Sequence, residues 1–135
     1  MNAIDTNVLI YAHDPRDPRK QTTAIALIES LADAVLLWQV ACEYISAAKK
    51  IEPFGYSREQ AWLDIRELRS VWDAILPSWE VADRAERLLD RYSLSFWDAM
   101  IVAACAEAGV ERLYSEDFGD RTIDGLEIAN PFSSL

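Results

Sequence analysis

Ala3-Ile4-Asp5 sets two apolar residues directly before a carboxylate, and Val8-Leu9-Ile10-Tyr11 resumes the apolar run three residues later. Ala3-Ile4 reads as the opening of a short strand that meets Asp5. Aspartate is depleted in strands, so an apolar strand that delivers one acid to its carboxyl end has the look of a site. Val8–Tyr11 stays open between strand and helix, because short apolar runs fit both periods. The alternation of short apolar runs and longer helical ones then continues. Asp17-Pro18 opens a helix as N-cap and first-turn proline, with Ala24, Leu27, Ile28 and Leu31 at helical spacing. Val35-Leu36-Leu37-Trp38 is a compact strand candidate, and residues 39–51 read as a helix that Pro53 ends. Ser57-Arg58-Glu59-Gln60 is a capping box opening a helix to about Val71. Ala74-Ile75-Leu76 is a short strand closed by Pro77, and Ser78 caps the helix that follows. Ser95-Phe96-Trp97-Asp98 opens another helix, with Gly109 as its stop. Arg112-Leu113-Tyr114 and Leu126-Glu127-Ile128 are the last strands expected.

Strands separated by helices imply βαβ units. The expected class is α/β, a three-layer α/β/α fold on a mostly parallel sheet of four or five strands, with residues 1–135 as one domain. In such sheets ligands bind beyond the carboxyl ends of the strands. Asp5 and Asp117 follow strands there, and Glu43 and Asp98 lie near the starts of crossover helices at the same edge. Four carboxylates from four distant segments would therefore meet on one rim. Held close in a partly buried site they repel, so protons or a cation must relieve them. An all-oxygen set without His or Cys selects Mg²⁺ or Mn²⁺. Such an ion activates water and clamps phosphodiester oxygens, which points to metal-dependent phosphodiester hydrolysis. Taken singly, Asp98 is also a capping acid, Asp117 a turn residue and Glu43 an ordinary helical acid.

Composition narrows the classes. The chain has 135 residues, of which 51% are hydrophobic and 27% charged, with a formal net charge of −10. That charge excludes a protein that holds nucleic acid through a basic face alone, and suits a basic protein partner. Two cysteines without CxxC spacing exclude a disulfide scaffold or zinc ribbon. Both sit on apolar helices and read as packing residues. The single histidine, His13, falls in a proline-bearing loop and reads as surface. No run of about 18 apolar residues marks a membrane span, and the first residues lack a signal-peptide pattern. The expectation is a cytoplasmic protein with reduced thiols. Residues 1–55 carry five basic and seven acidic side chains, residues 56–135 eight and sixteen. Arg16, Arg19, Lys20, Lys49 and Lys50, in the less acidic part, are the candidate phosphate contacts. Trp62, Trp72, Trp79, Tyr44 and Tyr11 are read mainly as core, with a groove or dimer face as the alternative.

Asp5-Thr6-Asn7-Val8-Leu9-Ile10-Tyr11-Ala12 resembles the opening motif of PIN-domain ribonucleases, particularly the VapC-type toxins of type II toxin–antitoxin pairs. Residues 95–105, Ser-Phe-Trp-Asp-Ala-Met-Ile-Val-Ala-Ala-Cys, resemble the motif with the family's third acid, and residues 113–120 the motif with its fourth. Residues 125–132 resemble the final strand of such toxins. The resemblance implies a PIN-like fold and an Mg²⁺-dependent endoribonuclease, with Asp5, Glu43, Asp98 and Asp117 as metal ligands. Glu43 is placed by its position after the Val35–Trp38 strand. Thr6, Asn7, Ser115 and Glu116 would support the acids by hydrogen bonds. Asp117 aligns best as the fourth acid, with Glu116 next and Asp120 also acidic. The implied partners are RNA, an antitoxin with a basic C-terminal segment, and a second copy in a homodimer. A catalytically silent PIN-like binding module and a housekeeping PIN nuclease without antitoxin are the alternatives. A phosphotransfer domain on a doubly wound sheet lacks its GxxxxGK[ST] signature here.

Overall fold

The computed structural model describes all of residues 1–135. In chain order the elements are β1 (Asn2–Ile4), α1 (Thr6–Tyr11), α2 (Pro18–Ser30), β2 (Ala34–Leu37), α3 (Trp38–Ala47), a 3-10 helix (Ala48–Phe54), α4 (Arg58–Val71), β3 (Asp73–Ile75), α5 (Trp79–Arg91), α6 (Phe96–Glu107), β4 (Arg112–Tyr114), β5 (Arg121–Ile123) and β6 (Leu126–Ala129). The strands form one sheet in the order β3-β2-β1-β4-β6-β5. Every neighbour pair is parallel except β5 with β6. The chain therefore steps outward from β1 to β3, then returns to lay β4 on the other side of β1. Right-handed crossovers put α1–α4 on one face and α5–α6 on the other. The contacts agree, since α1 packs on α2 and α3, and α5 packs on α6. This is the expected three-layer α/β/α fold.

The sheet has six strands, where four or five were expected. The missing one is β5, paired with β6 through Asp124-Gly125, both with positive φ. Asp-Gly between strands is a strong hairpin signal, but Arg121-Thr122-Ile123 is short and carries only one buried residue, Ile123. Val8–Tyr11 is settled as helix, because Asp5 caps α1 by accepting a hydrogen bond from the Thr6 N–H at 2.8 Å. The helix expected over residues 39–51 breaks at Ala47. The 3-10 turn that follows contains Pro53 and stops at Gly55, whose φ of +100° suits glycine.

α6 is apolar on nearly every side, and Ala99, Ile101, Val102, Ala103 and Cys105 are all buried. A helix without a polar face belongs in an interior, here between the sheet and α5. Cys105 is core as expected, and burial pushes its thiol up to about 12. Cys42 corrects the expectation for both cysteines, since it is exposed on α3. Of the named aromatics Trp72 and Tyr44 are core, Tyr11 is half-buried, and Trp62 and Trp79 stand exposed. His13 is also corrected. It is half-buried, stacks on Tyr56 at 4.5 Å and brings Nε2 within 3.5 Å of Asp64. It borders a cavity of about 460 Å³ lined by Leu9, Ile28, Tyr44 and Leu68, on the helix side rather than at the sheet edge. No helix is long and apolar enough to cross a membrane.

Candidate active site

The order in which strands are added reverses between β1 and β4, and open α/β sheets bind ligands at the carboxyl ends of strands at such a point. Backbone pairing fixes what lies there. Ile4 pairs with Tyr114, the Asp5 N–H donates to the Tyr114 carbonyl at 2.9 Å, and the Ser115 N–H donates to the Ala129 carbonyl at 3.0 Å. Asp5 and Ser115 are thereby held side by side as each strand ends. Ser115 Oγ donates to Asp5 Oδ2 at 2.8 Å and accepts from the Asp117 N–H at 3.2 Å. One hydroxyl thus links the first acid to the turn that carries the fourth.

The two helical acids arrive differently. Asp98 sits in the first turn of α6, where Ser95 Oγ accepts its backbone N–H at 3.1 Å. Glu43 lies in α3, between two donors. Thr6 Oγ1 reaches Oε2 at 3.0 Å and Gln39 Nε2 reaches Oε1 at 2.8 Å. Gln39 was not singled out from sequence, although its i,i+4 spacing to Glu43 is a readable helical pair. Asn7 Nδ2 donates to Asp117 Oδ2 at 3.0 Å and lies 3.4 Å from Ser115 Oγ. Thr6, Asn7 and Ser115 thus each donate a hydrogen bond to one of these acids.

Glu116 does not face this cluster. It accepts from the Tyr11 hydroxyl at 2.6 Å and from Lys20 Nζ at 2.7 Å. Asp120 is also turned away and accepts from the Asn130 N–H at 2.8 Å. Asp117 is the acid of that motif whose charge is felt at Asp5 and Asp98. Lys20, expected as a phosphate contact, is paired with Glu116 and lies over the Tyr11 and Phe132 rings. Arg16 forks onto Asp14, donating from Nε and Nη2 at 2.9 and 2.8 Å. It still lines, with Lys50, a cleft of about 340 Å³ that also takes in Thr6, Asn7, Tyr11 and Asp117. Lys49 lines a different cavity beside Trp62, and Arg19 is exposed on α2.

Burial and neighbouring charge act together on two of the acids. Burial pushes Asp5 up to about 6; hydrogen bonds from Ser115 and Thr6 oppose the shift, and the charges of Asp117 and Glu43 add to it. Burial also raises Asp98, again with Asp117 and Glu43 adding to it. None of the four acids forms an ion pair with Lys, Arg or His. As placed, no three acidic, His or Cys side chains close on a common point. They are spread along the rim on the donors named above. The donor set suits a hard divalent cation: four carboxylates, no Cys or His, and no protein cation to offset them.

Asp5 has a consequence for stability. Its folded pKa lies above the ordinary value near 4, so the folded chain holds that proton more tightly than the unfolded one. Stability is intact below about pH 4 and falls as pH rises through about 6. Asp5→Asn removes this cost but leaves Ser115 Oγ accepting one more hydrogen bond. A net gain of about 1 kcal/mol, or roughly 3–5 °C in Tm, is expected at pH 7.5 without metal, and none at pH 4. Melting curves at the two pH values check this; an equal shift at both would place the effect outside Asp5 ionisation.

An α/β sheet with parallel strands, its strand order reversing at the centre and unpaired acids gathering at that reversal, defines a class of acidic-site proteins. The chain belongs to the PIN domain family, whose model matches residues 3–124. Its fold is similar to a chain of a toxin–antitoxin complex from Klebsiella pneumoniae, at 24% identity over 98% of each chain and a TM-score of 0.72. It is similar to VapC20 of Mycobacterium tuberculosis, a Sarcin-Ricin loop cleaving toxin, at 16% identity over 94% of this chain and 99% of that one, TM-score 0.70. It is also similar to a chain of VapBC2 from Rickettsia felis bound to a promoter DNA fragment, at 15% identity over 96% and 97%, TM-score 0.67. At these identities the likeness is one of fold. No curated protein matches the chain in sequence.

Proposed function

We propose that the chain, acting as one domain, is a divalent-metal-dependent endoribonuclease and the toxin of a toxin–antitoxin pair. One observation supports this reading: Asp5 and Asp98, near the carboxyl edge of the sheet, each feel the charges of Asp117 and Glu43, and none of the four acids forms an ion pair. Asp5, Asp98, Asp117 and Glu43 would hold Mg²⁺ or Mn²⁺. When bound, the ion supplies water activation and charge neutralisation at the phosphodiester oxygens. Ser115, Asn7, Thr6 and Gln39 fix carboxylate orientation through the bonds described. Arg16 and Lys50, on the cleft beside Asp117, orient the strand leaving the rim. The net charge of −10 favours an antitoxin segment that is basic, and solved complexes of similar fold include toxin–antitoxin assemblies. We place the protein in the cytoplasm, as a homodimer.

The test is direct. Purified protein with total RNA in Mg²⁺ should give discrete fragments. Water as nucleophile leaves no 2′,3′-cyclic phosphate, so fragment ends should carry none. Cyclic ends, or no cleavage of any RNA, would overturn the reading.

A further inference from the structure

Two large aromatic side chains stand in solvent at the start of α6, one and two residues before Asp98. Phe96 and Trp97 are the first residues of α6, immediately before Asp98. They are 52% and 61% exposed. Their rings meet edge to face, with centroids 4.9 Å apart and planes at 81°. The Trp97 carbonyl accepts from Gln39 Nε2 at 3.1 Å, and that same nitrogen donates to Glu43. Trp97 is therefore tied to one site acid through a single side chain and to another by the peptide bond. No protein cation covers either ring. A lone exposed ring is ordinary, but a pair packed edge to face in solvent on the turn that carries a site acid is not.

Charge decides what such a surface takes. The chain is strongly acidic, and Lys20 and Arg16 are already paired with Glu116 and Asp14, which leaves Lys50 as the cation without an ion pair on the cleft at Asp117. Phosphate contacts alone would hold RNA weakly here. A nucleobase is uncharged and offers a π face to any aromatic ring. We propose that Trp97, braced by Phe96, is a stacking platform for one unpaired nucleobase beside the phosphate at the acidic rim. The proposal rests on the ribonuclease reading and adds to it the residue that would hold a base next to the site. In a duplex the faces of each base are covered by its neighbours, and unstacking costs free energy.

The experiment is a binding cycle in Ca²⁺, read by fluorescence anisotropy. The probes are a 12-nucleotide oligo(rA), the same sugar–phosphate chain without bases, and the oligo(rA) annealed to its complement. The proteins are wild type, Trp97→Ala and Trp97→Phe, with melting curves and sedimentation recorded for each. Wild type should bind oligo(rA) about tenfold tighter than the abasic chain and the duplex. Trp97→Ala should bind oligo(rA) and the abasic chain alike, and Trp97→Phe should keep most of the preference. The salt slope of log Kd should be shallow, below about 2 in magnitude. The proposal is overturned if Trp97→Ala keeps the preference, or weakens both chains equally. It is overturned too if wild type binds neither chain. A Trp97→Ala protein that only shifts from dimer to monomer would make the face a protein interface and sink the stacking role. Preference without RNA cleavage would leave the platform standing and remove the nuclease reading. Cleavage without preference would do the reverse.

Discussion

Asp98→Asn and Asp5→Asn are each expected to cut RNA cleavage by on the order of 10³-fold, about 4 kcal/mol of transition-state stabilisation, with the fold retained. The two acids reach the rim by different routes, one from a strand end and one from the first turn of a capped helix. An effect shared by both is therefore hard to attribute to local structure. Neutral Asn keeps the size of each side chain but removes the charge that offsets a divalent ion. Glu116→Gln is the contrast. Glu116 faces Lys20 and Tyr11, so its loss should cost less than about tenfold in rate while loosening the contact between α2 and the β4 end. Single-turnover assays at saturating RNA separate these cases. Equal losses at Glu116 and Asp117 would mean that the turn after β4 matters as a unit rather than through Asp117.

Chelation is the second large effect. EDTA should bring cleavage to background, and Mg²⁺ or Mn²⁺ should restore it. Binding to the folded state alone also raises stability, by about 2.7 kcal/mol at a hundred times the dissociation constant. For a chain of this size that is roughly 10 °C in Tm. Asp5→Asn should raise the metal-free Tm at pH 7.5 and erase most of the metal-dependent rise. The two shifts have opposite signs, which loss of packing at Asp5 would not produce. Persistent cleavage in chelator would remove the metal from the chemistry.

Asp5, Asp98 and Asp117 were legible in sequence because each occupies a local structural position: a strand end, a capped first turn, and a turn after a strand. Glu43 was legible only through its order in the chain, since nothing local distinguishes it from other helical acids. What identifies it is Thr6, 37 residues away in sequence. The pairing of Lys20 was hidden for the same kind of reason. Its partner Glu116 lies 96 residues away and meets it only through the sheet, so no local pattern shows that the charge is taken. The β5–β6 hairpin was legible in principle from Asp124-Gly125 but lay in a run too short to show a period. Cys42 and the exposed tryptophans were misjudged because apolar composition on a helix does not say which face meets the core. Tertiary packing alone assigns that, and α3 turns Tyr44 and Val40 inward instead.

The proposed function requires that acids of this rim hold a divalent ion. Crystals grown with Mn²⁺ and measured at its absorption edge test it most directly. The account requires an anomalous peak on the β1–β4 rim, within about 2.0–2.3 Å of carboxylate oxygens from at least two of Asp5, Glu43, Asp98 and Asp117. A rim without that peak at millimolar Mn²⁺, or Mn²⁺ bound only elsewhere, would contradict it.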